Sequence, residues 1–303
     1  MGQTPAVCAC KCQDLKGNAG EAEEVSSGPG FSKRERKPEA MLPSGACYVG
    51  EWRGSIRDGE GTLTWPDGGR YAGQFVSNRA EGSGVFTHAD GDKYDGNWLA
   101  DKAQGEGMYS HADGSIYCGQ WIRDQQHGEG CETWPDGTEY RGQYVDGVKN
   151  GVGRFDWSDG SHFEGEFHDN AIRGRGSYNW MDGRSYSGEW RENRMHGKGI
   201  YMWSDGRYYD GSYLEDLKSG PGTYSWPDGR RYEGEWLRGK QHGRGLYTET
   251  TGQSRRGQWE RGQQLRWTDV DHDDPTDVAA ARVTGETQSL DDSNDFGGDS
   301  MEL

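Results

Sequence analysis

Hydrophobic and polar positions alternate with a period of two along most of the chain, a pattern that indicates β-strands. In residues 117–121 (YCGQW), the tyrosine, glycine and tryptophan fall on one face of a strand and the other positions on the opposite face. Residues 199–203 (GIYMW) repeat this arrangement. Asp-Gly pairs close most of these segments, and they favour tight turns because glycine adopts positive φ readily. The pattern therefore predicts an all-β chain of antiparallel hairpins.

The hairpins recur with a constant 23-residue period, and no insertion breaks the phase. A glycine follows each aromatic marker after two residues, a second aromatic follows after four, and a Gly-x-Gly comes later in the unit. Polar segments such as residues 122–127 are predicted to form the loop at the opposite end of each hairpin. The markers are Tyr48, Tyr71, Tyr94, Tyr117, Tyr140, Phe163, Tyr186, Tyr209 and Tyr232.

Glycine beside an aromatic residue allows a ring to lie flat over the neighbouring backbone. Repeated along the chain, this predicts a stripe of stacked rings on one face in place of an aliphatic core. The expected fold is an elongated, single-layer antiparallel meander, and its open edges would allow a homodimer. We predict a binding groove lined by Tyr48, Trp52, Tyr94, Trp98, Tyr117, Trp121, Tyr186, Trp190, Tyr232 and Trp236.

The motif Tyr-x-Gly-x-Trp, followed by Gly-x-Gly and Asp-Gly, resembles the MORN repeat (membrane occupation and recognition nexus). The resemblance covers residues 48–267, as nine full units and a degenerate tenth. It implies a twisted antiparallel sheet with an aromatic groove, in a class of scaffolds at membrane–cytoskeleton junctions, cilia and flagella. The chain departs from the motif at His88, His111, Glu132, Glu249 and Arg255.

Composition and charge argue against two classes of protein, enzymes with an aliphatic core and nucleic-acid-binding proteins. The chain of 303 residues has 51 glycines, 13 tryptophans and 16 tyrosines, which does not suit an aliphatic-core enzyme domain. The formal net charge of −17 argues against nucleic acid, because phosphates require a basic face. Residues 268–303 carry a single basic residue, Arg282, among many acidic ones, and are expected to be a disordered acidic tail.

The first 47 residues are expected to form a disordered leader that carries a lipid anchor. Gly2 is the position that N-myristoylation requires, although Ala6 replaces the preferred serine or threonine. Cys8, Cys10 and Cys12 suit palmitoylation, and stable membrane attachment needs such a second anchor. An unmodified leader is the alternative. The basic patch at residues 32–38 could add attraction to anionic lipid, or it could be a solvated linker.

No motif indicates catalysis. The Gly-x-Gly copies precede strands rather than helices, so they are not phosphate-binding loops. We therefore expect a chain without enzymatic activity, cofactor or metal.

The expected function is a scaffold on the cytoplasmic face of a membrane, linking it to cytoskeletal or other protein partners. Two alternatives remain open at this point. One is an axonemal or cytoskeletal assembly component without a lipid anchor, and the other is a phosphoinositide-binding adaptor for a lipid kinase.

Overall fold

The computed structural model describes residues 33–268 as antiparallel β-structure, and this part of the chain contains no helix. It falls into two compact units that divide between Ser158 and Asp159. The 23-residue phase passes through this boundary without interruption, so the sequence gives no sign of it. The predicted all-β antiparallel meander is confirmed.

The first unit contains eleven strands, each paired antiparallel with the next along the chain. They are β1 (Glu35–Met41), β2 (Cys47–Arg53), β3 (Ile56–Thr64), β4 (Arg70–Val76), β5 (Arg79–Thr87), β6 (Lys93–Leu99), β7 (Lys102–Ser110), β8 (Ile116–Ile122), β9 (Gln125–Thr133), β10 (Glu139–Val145) and β11 (Val148–Asp156).

The second unit contains ten strands in the same arrangement. They are β12 (His162–His168), β13 (Ala171–Asn179), β14 (Ser185–Arg191), β15 (Arg194–Met202), β16 (Tyr208–Leu214), β17 (Leu217–Ser225), β18 (Arg231–Leu237), β19 (Lys240–Thr248), β20 (Ser254–Glu260) and β21 (Gln263–Trp267).

One face of each unit carries the buried aromatic residues, as the alternation predicts. In β8, Tyr117, Gly119 and Trp121 are buried, while the residues between them are half-buried or exposed. The marker rings lie over glycine: a Cβ added to Gly61 would come within 2.6 Å of the Tyr48 ring. The predicted packing of rings over bare backbone is therefore present.

A β-bulge follows the first glycine of each full unit, and in the eight units whose marker is a tyrosine its hydroxyl compensates for the bulge. In β2 the register shifts between Gly50 and Trp52, which disrupts the ladder locally. The Tyr48 hydroxyl donates to the Glu51 carbonyl oxygen at 3.0 Å, so that carbonyl has a partner. The Tyr48 ring also packs edge-on against Trp52, with ring centroids 5.0 Å apart. The tyrosine thus satisfies the backbone and fills the core at once.

The Asp-Gly segments form the predicted turns. At the first of them, the Trp65 amide donates to the Gly69 carbonyl at 2.8 Å, and the Gly68 amide donates to the Trp65 carbonyl at 3.0 Å. The Asp67 carboxylate accepts from the Gly69 amide at 2.9 Å, which fixes the turn from within.

The opposite turns are tighter than residues 122–127 predict. Strand β8 ends at Ile122 and β9 begins at Gln125, so the loop consists of Arg123 and Asp124 alone. Both residues have positive φ, 51° and 70°, a conformation whose twist matches a two-residue hairpin. Asp124 also accepts a hydrogen bond from the Ala103 amide at 2.8 Å, so the turn is tied to the preceding repeat. No glycine signals this turn in the sequence.

Strand β1 lies within residues 1–47, so the predicted disorder is wrong for residues 35–41. Strand β1 pairs with β2 despite Pro38, where the register shifts between Lys37 and Ala40. Arg34, part of the basic patch, forms an ion pair with buried Asp58 at 2.7 Å. This ion pair ties the charged segment to β3.

The degenerate tenth unit is β20 and β21. Arg255 stands where the other units have an aromatic marker, and its guanidinium stacks 4.3 Å from the Trp267 ring centroid. This last hairpin thus combines a cation–π contact with the Trp259–Trp267 ring contact, whose centroids are 6.0 Å apart.

Candidate functional site: the aromatic groove

The ten predicted groove aromatics all lie on the buried face, and most of them form the core rather than an open surface. Nine are buried, and Trp98 is half-buried. Tyr94, Trp98 and Trp121 line a cavity in the first unit. Most of the residues that line this cavity therefore lie outside the predicted set of ten.

One position of the 23-residue unit varies in size and charge along the groove. It faces the second aromatic of each unit across the hairpin, as Ala80 faces Phe75 and Lys218 faces Tyr213. We call these positions the variable column. Its members are Arg57, Ala80, Ala103, Gln126, Lys149, Ile172, Met195, Lys218 and Gln241.

A cavity of about 680 Å³ opens in the first unit, where the variable column has two successive alanines. Ala80, Ala103 and Arg57 all line it. The walls include Trp65, Tyr71, Phe86, Trp98, His88, Tyr94, Tyr109 and Trp121. The cavity is thus an aromatic site whose size suits a side chain or small ligand.

In the second unit, Lys218 fills the corresponding place. This lysine is 4% exposed, and four rings surround its ammonium group. The distances from Nζ to the ring centroids are 4.7 Å to Tyr224, 4.8 Å to Trp203, 5.1 Å to Trp236 and 5.5 Å to Tyr209. Such a cage stabilises a desolvated cation through the negative faces of the rings.

Glu132, a departure from the aromatic motif, belongs to the same kind of arrangement. Its carboxylate accepts from Lys149 Nζ at 2.9 Å and from the Tyr144 hydroxyl at 3.0 Å. Lys149 Nζ also lies 5.1 Å from the Trp134 ring centroid. Burial, and then the Glu132 charge, raise the pKa of Tyr144 well above its usual range, so this tyrosine stays a hydrogen-bond donor.

Several titratable groups around the cavity have shifted pKa values, which determine their protonation states. Burial raises the pKa of Tyr71 and Tyr94 well above the ordinary value, so both rings are neutral. Burial, and then a hydrogen bond to Asp92, raise the pKa of Tyr109 to about 12. The Ala112 amide and the Tyr109 hydroxyl both donate to Asp92 and hold its pKa below the usual range. The cavity therefore combines neutral rings with one nearby ionised carboxylate, Asp92.

A second cavity, of about 580 Å³, lies in the second unit at its last strands. Three arginines, Arg244, Arg256 and Arg266, line it together with Glu233. This arginine cluster is polar where the first cavity is aromatic, so its ligand chemistry would be anionic.

The predicted lipidation residues, Gly2, Cys8, Cys10 and Cys12, lie outside the described residues. Within residues 33–268, no cluster of three His, Cys, Asp or Glu side chains could hold a metal ion. The same part of the chain has no helix with the length and hydropathy to cross a membrane.

Sequence comparison assigns the repeats. The MORN repeat model matches nine consecutive segments, residues 48–70, 71–93, 94–116, 117–139, 140–162, 163–183, 186–206, 209–230 and 232–253. The chain belongs to the MORN-repeat family. Membership indicates a repeat-based role in protein binding or membrane association. No curated protein matches this MORN-repeat chain.

Solved structures resemble the MORN-repeat chain only loosely. One is the SAS-4 (dCPAP) TCP domain of Drosophila melanogaster, solved in complex with a proline-rich motif of Ana2 (dSTIL). Its sequence is 12% identical, the match covers 57% of this chain and 87% of that chain, and the TM-score is 0.32. The CPAP G-box domain is also 12% identical, with coverages of 67% and 99% and a TM-score of 0.37. Likenesses this distant carry no functional argument.

Two features of the MORN-repeat chain escape prediction from the motif alone. The variable column lies outside the aromatic and glycine positions, so only the comparison of equivalent residues across units could reveal it. Cys118 and Cys131, scattered in the sequence, face each other across β8 and β9.

Proposed function

We propose that this MORN-repeat chain is a non-enzymatic scaffold that attaches to a membrane through its leader and binds protein partners through its aromatic face. The observation that carries the protein-binding part is the open cavity at Ala80 and Ala103. It lies on the aromatic face, and apolar concave sites with a few polar groups are typical of ligand and partner binding.

The proposed membrane attachment rests on the sequence of the leader. Myristate on Gly2 would supply a marginal affinity, of about 10⁴ M⁻¹, and palmitate on Cys8, Cys10 or Cys12 would supply the second anchor. The expected localisation is therefore the cytoplasmic face of a membrane, with cytoskeletal proteins as the expected partners.

Subcellular fractionation of the full chain tests the anchor. We expect the unmodified chain in the membrane fraction and Gly2→Ala in the soluble fraction. A variant with Cys8, Cys10 and Cys12 replaced by serine should show intermediate membrane association, because one acyl chain alone binds reversibly.

Ala6→Ser is the matched control, since it restores the preferred residue of the acylation motif and should retain membrane binding. A Gly2→Ala chain that remains fully membrane-bound would contradict myristate as the anchor. Recovery of both chains in the detergent-insoluble cytoskeleton would favour the axonemal or cytoskeletal alternative.

The phosphoinositide-binding alternative is supported by one observation, the arginine cluster. Guanidinium groups bind phosphate bidentately, and Arg244, Arg256 and Arg266 line one cavity.

The full chain made in bacteria, and thus unacylated, can be sedimented with vesicles that contain phosphatidylinositol bisphosphate. If the cluster is the site, Arg244→Gln/Arg266→Gln should reduce binding at least tenfold, whereas Arg79→Gln/Arg173→Gln, with the same charge change elsewhere, should not. Equal binding by all three chains would contradict the alternative.

A further inference from the structure

The two open positions of the variable column correspond, residue by residue, to the occupied cage at Lys218. Ala80 precedes Lys218 by six full repeat units. The four rings that surround Lys218 have their counterparts around Ala80 in Trp65, Tyr71, Phe86 and Trp98, all of which line the open cavity.

The geometry of the two sets of rings agrees closely. In the occupied cage, the ring centroids of Trp203 and Tyr224 are 5.3 Å apart, and those of Tyr209 and Trp236 are 5.1 Å apart. The corresponding distances in the open cage are 5.5 Å and 5.1 Å. The open cage therefore has the ring spacing that accepts an ammonium group, without a lysine of its own.

A second open cage lies one unit further along, at Ala103. Its walls are His88, Tyr94, Tyr109 and Trp121. The Tyr94 and Trp121 ring centroids are 5.1 Å apart, the same separation as in the occupied cage. His88 stands where the first open cage has Trp65, and its ring centroid lies 6.2 Å from that of Tyr109, against 5.5 Å between Trp65 and Phe86.

Each open cage has a carboxylate beside it, and Arg57 is a cationic residue that also lines the cavity. Asp101 and Asp124 stand at the hairpin turns beside Ala80 and Ala103, and their carboxylates accept from the alanine amides at 2.7 and 2.8 Å. The position equivalent to Asp101 beside Lys218 is the uncharged Gly239. The carboxylate is thus present at both open cages and absent beside Lys218, although Asp216 makes the same hydrogen bond to the Met195 amide.

We propose that the cavity at Ala80 and Ala103 binds lysine side chains of a protein partner, one ammonium group in each open cage. The chain itself provides the precedent, because Lys218 and Lys149 place their ammonium groups against rings in the same column. The net charge of −17 adds long-range attraction for a basic segment.

The spacing of the cages defines the partner further. One unit consists of two strands, so the two cages are about 10 Å apart. Residues i and i+7 of an α-helix have nearly the same separation, about 10.5 Å. The partner segment is therefore expected to present two lysines about 10 Å apart, as at positions i and i+7 on one face of a helix.

This inference rests on the proposed protein-binding role and makes it more specific. The test uses the full chain without acyl groups, so it does not depend on the membrane anchor. The probe is a 15-residue alanine-rich helical peptide with lysines at positions 4 and 11, titrated into the full, unacylated chain by calorimetry. A peptide with norleucine at both positions keeps the alkyl chains and removes the charge. We expect the norleucine peptide to bind at least tenfold more weakly, and equal binding would overturn the proposal.

Substitutions in the column provide the second arm. Ala80→Lys/Ala103→Lys should fill both cages from within and reduce binding of the lysine peptide at least tenfold. Ala72→Lys/Ala171→Lys adds the same charge at positions outside the variable column and should reduce binding less than threefold. Unchanged binding by the column variant, or the same loss in both variants, would overturn the proposal.

A gain of binding is expected in the second unit. Lys218→Ala should open a third cage and raise the number of lysine peptides bound, whereas Lys218→Met, which keeps the cage filled, should not. Far-ultraviolet circular dichroism establishes that each variant is folded before it is titrated. A folded Lys218→Ala chain with unchanged stoichiometry would contradict the equivalence of the cages. Because the anchor is tested separately by fractionation, failure here would leave the proposed membrane attachment standing.

Discussion

Replacing Gly84 with alanine should destabilise the hairpin of β4 and β5 by about 3 kcal/mol, the upper end of the cost of overpacking. A Cβ at this position would lie 2.5 Å from Cζ and 2.6 Å from Cε2 of the Tyr71 ring. The ring cannot withdraw, because it is buried against Phe75 and Trp98, with centroids 5.1 Å away in both cases. Urea unfolding followed by tryptophan fluorescence measures the loss of stability, and hydrogen exchange locates it.

The control is Gly69→Ala in the adjacent turn. There a Cβ would meet only the Asp67 carboxylate at 3.2 Å and other atoms at 3.8 Å, so the cost should stay within about 0.5 kcal/mol. In a Tyr71→Ala background, Gly84→Ala should cost much less than in the unmodified chain, because the clashing ring is gone. An equal cost in both backgrounds would show that packing of the ring over glycine is not the cause.

Removing both arginines beside Asp58 should destabilise the chain by about 3 kcal/mol, the typical cost of leaving a buried charge unpaired. The Asp58 side chain is 6% exposed, and its carboxylate pairs with Arg34 at 2.7 Å and with Arg53 at 3.3 Å. In Arg34→Ala/Arg53→Ala the carboxylate would lose both of these partners. The first strands should then show faster hydrogen exchange and a lower urea midpoint.

Adding Asp58→Asn to this double variant should recover stability, because the buried charge is removed along with its partners. The triple variant is thus expected to be more stable than the double variant, although it carries one more substitution. If the triple variant is equally or less stable, the unpaired carboxylate is not the source of the loss, and packing of the arginine stems would account for it instead.

Much of the fold could be predicted from the sequence, because it repeats local rules. The period of two assigns the strands, and the constant length of the repeat determines which rings and glycines meet. The turn at residues 65–69 was predictable because proline, aspartate and glycine each favour its conformation. Nine copies in phase make these rules visible without any alignment.

Other features depend on contacts that the motif does not encode. The turn at Arg123 and Asp124 requires positive φ at two residues without glycine, and the twist of the flanking strands enforces it. Strand β1 depends on the pairing of Arg34 with Asp58, which lies in the next hairpin, so Pro38 and the charges beside it conceal a strand.

The site was predictable only in part. The aromatic face was correctly placed, but most of its predicted rings form the core, as the burial of Tyr48 and Tyr186 shows. The residues that open the groove are small alanines, which carry no chemistry of their own. Their role can be recognised only by comparison with Lys218, which occupies the equivalent position of another unit.

The structure of the full chain with the two-lysine peptide bound tests the equivalence of the cages most directly. The account predicts one ammonium group within about 6 Å of the ring centroids at Ala80 and a second at Ala103. A peptide bound elsewhere on the chain, with both cages empty, would contradict it.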